Sequence, residues 1–298
     1  GNNDVLGYAT SGGFSPAAPT SVAQFNQLFG GIMQGLKQYA DVSGAKVVVG
    51  NIPSVTAIPF FTTVGPQMAA GIPWGYLTSQ GAPGLFIQKH GETVNPTSFT
   101  DSISLANFSV LITLKGSSYA SPSILGQPGG KFYRDFGFPG LPAGIDTTKP
   151  FGFHPQNPWP DALILDAGEI TVAQNAVTSF NATIAALANS NGFGLVDINT
   201  VFNQIRQNDA AGTVINGIKF RTTYVSGGLF SLDGVHPSNQ AHGIIANEFI
   251  KVVNTKYGAK IPLVDVASIP GSFYFMGKII YKDGYPVIPA EVFDHLLF

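Results

Sequence analysis

Lys46-Val47-Val48-Val49-Gly50 is a short β-branched run that follows a helical pattern and ends on glycine, and its reading decides the fold. Valines without alternating polar positions mark a strand buried on both faces, as in the parallel sheet of an α/β layer protein. Asn51-Ile52-Pro53 then makes the strand exit, because proline has no N–H to give a ladder and holds the residue before it extended. Upstream, Val22, Phe25, Leu28, Phe29, Ile32, Leu36 and Tyr39 recur at three- and four-residue spacing. That period predicts an amphipathic helix over 21–39, with Thr20 or Ser21 as its cap and Gly44 just past its end.

The same alternation returns late in the chain. Ile170, Ala173, Val177, Phe180, Ile184 and Leu187 predict a second helix over 169–189. Gly194-Leu-Val-Asp-Ile198 reads as a buried strand and 200–207 as a short helix. Residues 214–224 read as a hairpin turning at Asn216-Gly217. A third helix begins near Pro237, with Ile244, Ile245, Phe249, Ile250 and Val253 on one face. Asp161 and Asp166 flank the apolar Ala-Leu-Ile-Leu run and read as strand-end residues.

Residues 62–160 differ in character. Proline and glycine cluster in Gly81-Ala-Pro-Gly84, Gly126-Gln-Pro-Gly-Gly130 and Phe138-Pro-Gly-Leu-Pro142, interleaved with Trp74, Tyr76, Phe132, Tyr133, Phe151 and Trp159. Only Phe108–Leu114 reads as a strand there. The aromatic density marks this stretch as an ordered insertion. The predicted organisation is therefore a core at 1–61, the insertion at 62–160, a second core segment at 161–258 and a tail at 259–298. Two Gly/Pro-rich turns around Phe273–Tyr281 give the tail no assignment to the core.

Composition excludes several classes. Fifteen basic against 17 acidic residues give a net charge of −2, and the arginines are only Arg134, Arg206 and Arg221. That balance argues against a phosphate-backbone binder, so no nucleic-acid partner is expected. No apolar run approaches the roughly 20 residues of a spanning helix, so no transmembrane segment is expected. Cysteine is absent, which removes disulfides, thiol nucleophiles and Cys-ligated zinc. The opening Gly1-Asn2-Asn3-Asp4 has neither a cationic nor an apolar signal region and reads as a processed or truncated start.

Two stretches carry chemistry. In Ser231-Leu-Asp233-Gly-Val-His236-Pro237-Ser238, an aspartate three residues before a histidine sits on a turn leading into a helix. Such a carboxylate can bond Nδ1, fix the tautomer and leave Nε2 as a general base. An N-cap aspartate beside a surface histidine would read the same way. The other stretch is Gly1-Asn2-Asn3-Asp4, an Asx-rich turn. A metal site from Asp233, His236 and His242 fits no common zinc spacing, so neither a metal nor a cofactor is expected.

Taken together, these motifs resemble the SGNH hydrolases, the GDSL lipase and acylhydrolase family. That family is defined by a Ser-bearing GDS block, a glycine block, Gly-x-Asn-Asp and Asp-x-x-His. Gly1-Asn2-Asn3-Asp4 and Asp233-Gly-Val-His236 match the last two in order, and the residues around the latter, 230–238 followed by a helix, look like the family's last block. The likeness covers 1–61 and 161–258 and excludes the insertion and tail. It implies a three-layer α/β/α, flavodoxin-like fold with the N-terminal strands absent from this chain. It also implies a serine esterase, lipase, acylhydrolase or carbohydrate deacetylase. Asn3 would be the oxyanion donor with Gly1 supporting its turn, His236 the general base and Asp233 its partner.

The serine block lies upstream of Gly-x-Asn-Asp in the family, and no Gly-x-Ser-x-Gly elbow replaces it here. Ser11, Ser231 and Ser238 lie near motifs but not on a strand-to-helix turn. The expected nucleophile therefore belongs to an N-terminal segment of the same protein. The expected partners are that segment and a small-molecule or glycan ester, and the expected setting is a secreted or cell-surface bacterial protein. The alternative is a catalytically inactive module of this fold that binds carbohydrate or lipid.

Overall fold

A computed structural model describes residues 1–271 except 15, 17, 80, 90, 91 and 93–97, together with the backbone of 281, 282, 285 and 286. The protein mixes helix and strand, compatible with the α/β class, and its strands pair two by two. The chain divides into two compact units, Gly1–Leu195 and Val196–Phe298.

In the first unit, α1 (Asn3–Thr10) precedes α2 (Val22–Ser43). Ser21 caps α2 by accepting the Gln24 N–H at 3.2 Å, and Gly44 closes it at φ 72°, a left-handed conformation that glycine adopts without penalty. The valine run becomes β1 (Val48–Gly50), with a companion strand at Gly194–Val196. The Gly194 N–H donates to the Val47 carbonyl at 2.8 Å. The predicted helix at 169–189 is α8 (Ala167–Ser190), after the shorter elements given below. Its capping box satisfies two donors at once: Asp166 accepts the Glu169 N–H, and Glu169 accepts the Asp166 N–H.

The period of α2 is as predicted, but the buried face is narrower. Phe25 stacks on Phe180 with centroids 4.0 Å apart, and Met33 packs with Ala188 and Phe193. Leu28, Ile32, Leu36 and Tyr39 remain exposed. They form a second apolar stripe at four- and three-residue spacing, turned away from the face that meets α8. One sequence period contained two faces, and only one is covered.

The chain then passes through a 3-10 turn at Val55–Ala57 into the 62–160 stretch, which has its own framework. Short helices α3 (Pro59–Thr62), α4 (Val64–Gly71), α5 (Trp74–Ser79), α6 (Ser102–Ala106) and α7 (Lys131–Asp135) alternate with two-residue strands β2 (Leu85–Phe86), β3 (Phe99–Thr100) and β4 (Leu111–Ile112). β2 pairs with β3, and β4 with β5 (Ile164–Leu165), both antiparallel. Their centre is an apolar cluster that includes Met68, Leu85, Ile87, Leu105, Ile112 and a fully buried Trp159.

The predicted strand at 108–114 shrinks to β4. Asn107 caps the end of α6, its side-chain oxygen accepts both the N–H and the hydroxyl of Ser109, and Phe108 is driven to φ 64°. That Asx turn spends the first half of the apolar run on a corner.

The strand at Gly194–Val196 is β6. In the second unit, α9 (Ile198–Gln207) starts with Asp197 accepting the Thr200 N–H at 3.0 Å, so the aspartate of the predicted 194–198 strand is a helix cap. The hairpin of β7 (Thr213–Ile215) and β8 (Ile218–Phe220) turns on Asn216 and Gly217, at φ 49° and 81°. Positive φ at both central residues is what a two-residue primed turn requires, and Asn-Gly supplies it.

α10 (Asn239–Tyr257) is capped by Ser238 and closed by Gly258 at φ 69°. Two of its asparagines hold the start of the tail. Asn247 donates to the Val264 carbonyl at 2.8 Å and accepts the Val264 N–H at 2.7 Å. Asn254 does the same with Ile261, at 2.8 and 2.9 Å. Residues 261–264 are thus tied along α10. Of the tail's predicted turns, most of 273–281 lies outside the described residues. Beyond them β9 (Tyr281–Lys282) pairs antiparallel with β10 (Tyr285–Pro286).

Candidate functional site

The loop that carries Asp233 and His236 is closed by local backbone bonds. Phe230 and Pro237 face each other in an antiparallel bridge. The Ser231 N–H donates to the His236 carbonyl at 2.8 Å, and the Ser238 N–H to the Leu229 carbonyl at 3.0 Å. Gly234 turns the chain at φ 70°, where a Cβ would be strained. Ser238 donates its hydroxyl to the Gly228 carbonyl at 2.7 Å and accepts the Ala241 N–H at 3.1 Å, joining the loop's base to α10. The Tyr224 hydroxyl donates to the Leu232 carbonyl at 2.6 Å from the other side.

Inside this ring the Asp233 carboxylate is fully engaged. Its Oδ1 accepts the Ser231 hydroxyl at 2.5 Å, the Val235 N–H at 2.8 Å and the His236 N–H at 2.9 Å. Its Oδ2 lies 2.6 Å from His236 Nδ1. Burial pushes the Asp233 carboxyl up, but the hydrogen bonds from Ser231, His236 and the two amides outweigh it and hold the group below its ordinary value. A carboxylate ionised in this way makes Nδ1 the protonated ring nitrogen, so that Nε2 presents a lone pair. The Asp233 side chain is 24% exposed and that of His236 59%, so the carboxylate is sheltered while the imidazole reaches solvent. The sequence reading named both residues of this pair and missed Ser231, whose hydroxyl shares Oδ1 with the two backbone amides.

The other expected site residues lie in the first unit. Asn2 flanks α1, and the Asp4 N–H donates to the Gly1 carbonyl at 3.1 Å, so the opening Asx stretch is the first turn of a helix. The Asn3 side chain is exposed and makes no hydrogen bond among the described residues.

The serines near the motifs are all occupied. The Ser11 hydroxyl donates to the Tyr8 carbonyl at 2.9 Å, Ser231 to Asp233, and Ser238 to Gly228. His242 is exposed on α10. Among the described residues no group of three or more His, Asp or Glu is gathered where a metal ion could be held, and no helix is long and apolar enough to cross a membrane.

A second polar feature escaped the sequence reading. Glu169, in the first turn of α8, is only 8% exposed. Its Oε2 accepts the Asp166 N–H at 2.8 Å, while Oε1 has no hydrogen-bond partner among the described residues. Gly13, at φ 72°, leaves that oxygen the space a Cβ would fill. Burial raises the Glu169 carboxyl to about 7, and the nearby Asp166 and Asp161 carboxylates add to the rise against the Asp166 N–H bond. Tyr8 responds to the same surroundings, lifted to about 12 by burial and by these three acids. The Asp166-x-x-Glu169 capping box was the available signal, and it foretells a buried N3 carboxylate only once the covering turn at 11–13 is known.

Comparison with family models, with curated proteins and with solved structures finds no match to this chain.

Proposed function

We propose that Asp233 and His236 are the acid–base half of a serine ester hydrolase of the SGNH type, on a three-layer α/β/α fold that this chain forms in part. One observation carries the reading: a carboxylate held by three donors accepts a fourth bond from His236 Nδ1 at 2.6 Å, while the imidazole stays exposed. That arrangement suits an imidazole that takes and returns a proton at Nε2.

In this reading an N-terminal segment of the same protein supplies the serine. The exposed apolar stripe on α2 and the two-stranded β1–β6 sheet are surfaces that such a segment would cover. His236 Nε2 takes the serine proton as the oxygen bonds to the ester carbonyl carbon. The carbonyl π electrons move onto oxygen, where one amide donor is typically worth roughly 2.7–4 kcal/mol, and Asn3 is the residue to which the family resemblance assigns that role. The tetrahedral intermediate collapses, the C–O bond to the alcohol breaks, and the alcohol leaves with the proton from His236. Water then repeats the cycle on the acyl-enzyme and releases the acid.

The test is p-nitrophenyl acetate hydrolysis by the full-length protein and its His236→Ala variant. Activity lost in the variant supports the reading. Hydrolysis that survives the substitution would refute it. A folded full-length protein with no serine in the upstream block and no turnover would favour the inactive binding module.

A further inference from the structure

The 62–160 stretch forms an open-mouthed cavity of about 770 Å³, within the range of small-molecule sites. Among the described residues its lining comes from 64–153, in the first unit. Met68, Ile72, Leu77, Leu125 and Phe153 are among the residues of its apolar wall.

That wall is already fixed by backbone bonds. The Ile72 N–H donates to the Met68 carbonyl at 3.0 Å and the Ala82 N–H to Leu77 at 3.0 Å. On the opposite side the Gly126 N–H donates to Phe151 at 2.8 Å, and the Phe151 N–H to Gln127 at 3.1 Å. The Trp74 indole N–H donates to the Ala69 carbonyl at 2.9 Å and pins the start of α5. A ligand entering here would find its walls ordered, so little binding energy goes into arranging them.

The polar groups of the lining define the ligand's chemistry. Among the described residues they are Gln67, Tyr76, Ser117, Ser121 and Gln127, amides and hydroxyls that both donate and accept. Among the described residues no Asp, Glu, Lys, Arg or His lines the cavity. A charged group carried into it would give up part of its hydration without gaining a counter-ion, whereas an alcohol, ether or amide would find partners.

We propose that this cavity is a binding site for a neutral amphiphile: an alkyl or aryl body against the apolar wall, with an uncharged hydrogen-bonding head at the amide and hydroxyl side chains. The site stands apart from the hydrolase reading, since it needs no reaction and no serine.

The test is equilibrium binding by the full-length protein, with N-phenyl-1-naphthylamine as fluorescent probe and non-hydrolysable competitors. The expected result is saturable binding that 1-O-decylglycerol displaces and decanoate, at a pH where it is ionised, displaces at least tenfold more weakly. Gly71→Phe fills the cavity: Gly71 lines it, and a Cβ there would meet nothing within 4 Å. This variant should weaken the probe at least tenfold while circular dichroism and Tm stay unchanged. Should it fail to fold, Ala82→Phe blocks the lining from another segment. Gln67→Leu should weaken decylglycerol more than the probe. Decanoate competing as well as decylglycerol would overturn the proposal. So would binding that survives the folded cavity-filling variant, which would place the probe on a surface such as the exposed α2 stripe.

Discussion

Glu169 gives the stability of this protein a pH dependence whose sign follows from the burial of its carboxyl. Its carboxyl stands at about 7 in the fold against 4.5 in an unfolded chain. The folded state therefore holds a proton that the unfolded state releases. The stability tied to that proton is complete below pH 4.5 and is lost as pH rises through 7. At about 1.4 kcal/mol per pH unit, the full swing is ~3 kcal/mol, of which ~2.5 kcal/mol falls between about pH 5 and pH 8. Glu169→Gln isolates the effect, because the amide oxygen can still accept the Asp166 N–H of the capping box while the charge is gone. Urea unfolding of both proteins across that window gives the assay, and the histidines, common to both, cancel in the difference. Wild type minus variant should fall by ~2.5 kcal/mol from about pH 5 to pH 8, a sizeable part of a typical domain's stability. A difference that stays flat within ~0.5 kcal/mol would mean that Glu169 is ionised throughout, and would refute the account of a carboxyl sealed under the Gly12–Gly13 turn.

Other outcomes follow from the same geometry. Asp233→Asn in the full-length protein should cut kcat for p-nitrophenyl acetate by about 10⁴ with little change in KM, because an amide can neither fix the Nδ1–H tautomer nor stabilise the imidazolium; a loss under tenfold would remove Asp233 from the mechanism. Asn247→Ala deletes both bonds to Val264 from a buried position, and should cost ~2–4 kcal/mol in urea unfolding and open residues 259–271 to limited proteolysis. Gly12 sits at φ 69°, and a Cβ there would overlap the Asp161 and Ile164 carbonyl oxygens. Gly12→Ala should therefore lower stability by ~2 kcal/mol or more, read as a fall in Tm; an unchanged Tm would show that the turn can shift.

What could be read from the sequence was what neighbouring residues decide among themselves. Ser21, Gly44 and Ser238 act on backbone groups three or four residues away, and each does what its type predicts. Asn216-Gly217 fixes a hairpin with no help from the rest of the chain. The errors came where a distant contact decides. Nothing within 22–43 says that Phe25 and Met33, and not Leu28 and Ile32, meet α8, because the choice is made by Phe180 and Ala188 some 150 residues on. The 62–160 stretch has no period to detect, since its helices are too short to show one and its core is assembled by aromatics and proline corners from scattered positions. At Phe108 a local signal was present but outvoted: Asn107 turns the chain, and the apolar run around it pointed to a strand.

The candidate site divides along the same line. Every bond named above as ordering Asp233 and His236 joins residues no more than 10 positions apart, so the pair is written into 224–241 and takes its geometry from that segment. This explains why a spacing of three residues, weak as a motif, foretold a formed carboxylate–imidazole contact. A loop that builds itself holds an aspartate and a histidine together whether or not a nucleophile is nearby. Catalysis needs a serine hydroxyl at Nε2 and a donor at the oxyanion, and those are long-range facts of the kind that misled the reading of α2 and of 62–160. The decisive substitutions are therefore the ones that leave the loop intact, as Asp233→Asn can by keeping an oxygen for the Val235 and His236 amides. Loss of turnover in such a variant reports on the proton at Nε2, while a variant that breaks the loop reports only on folding.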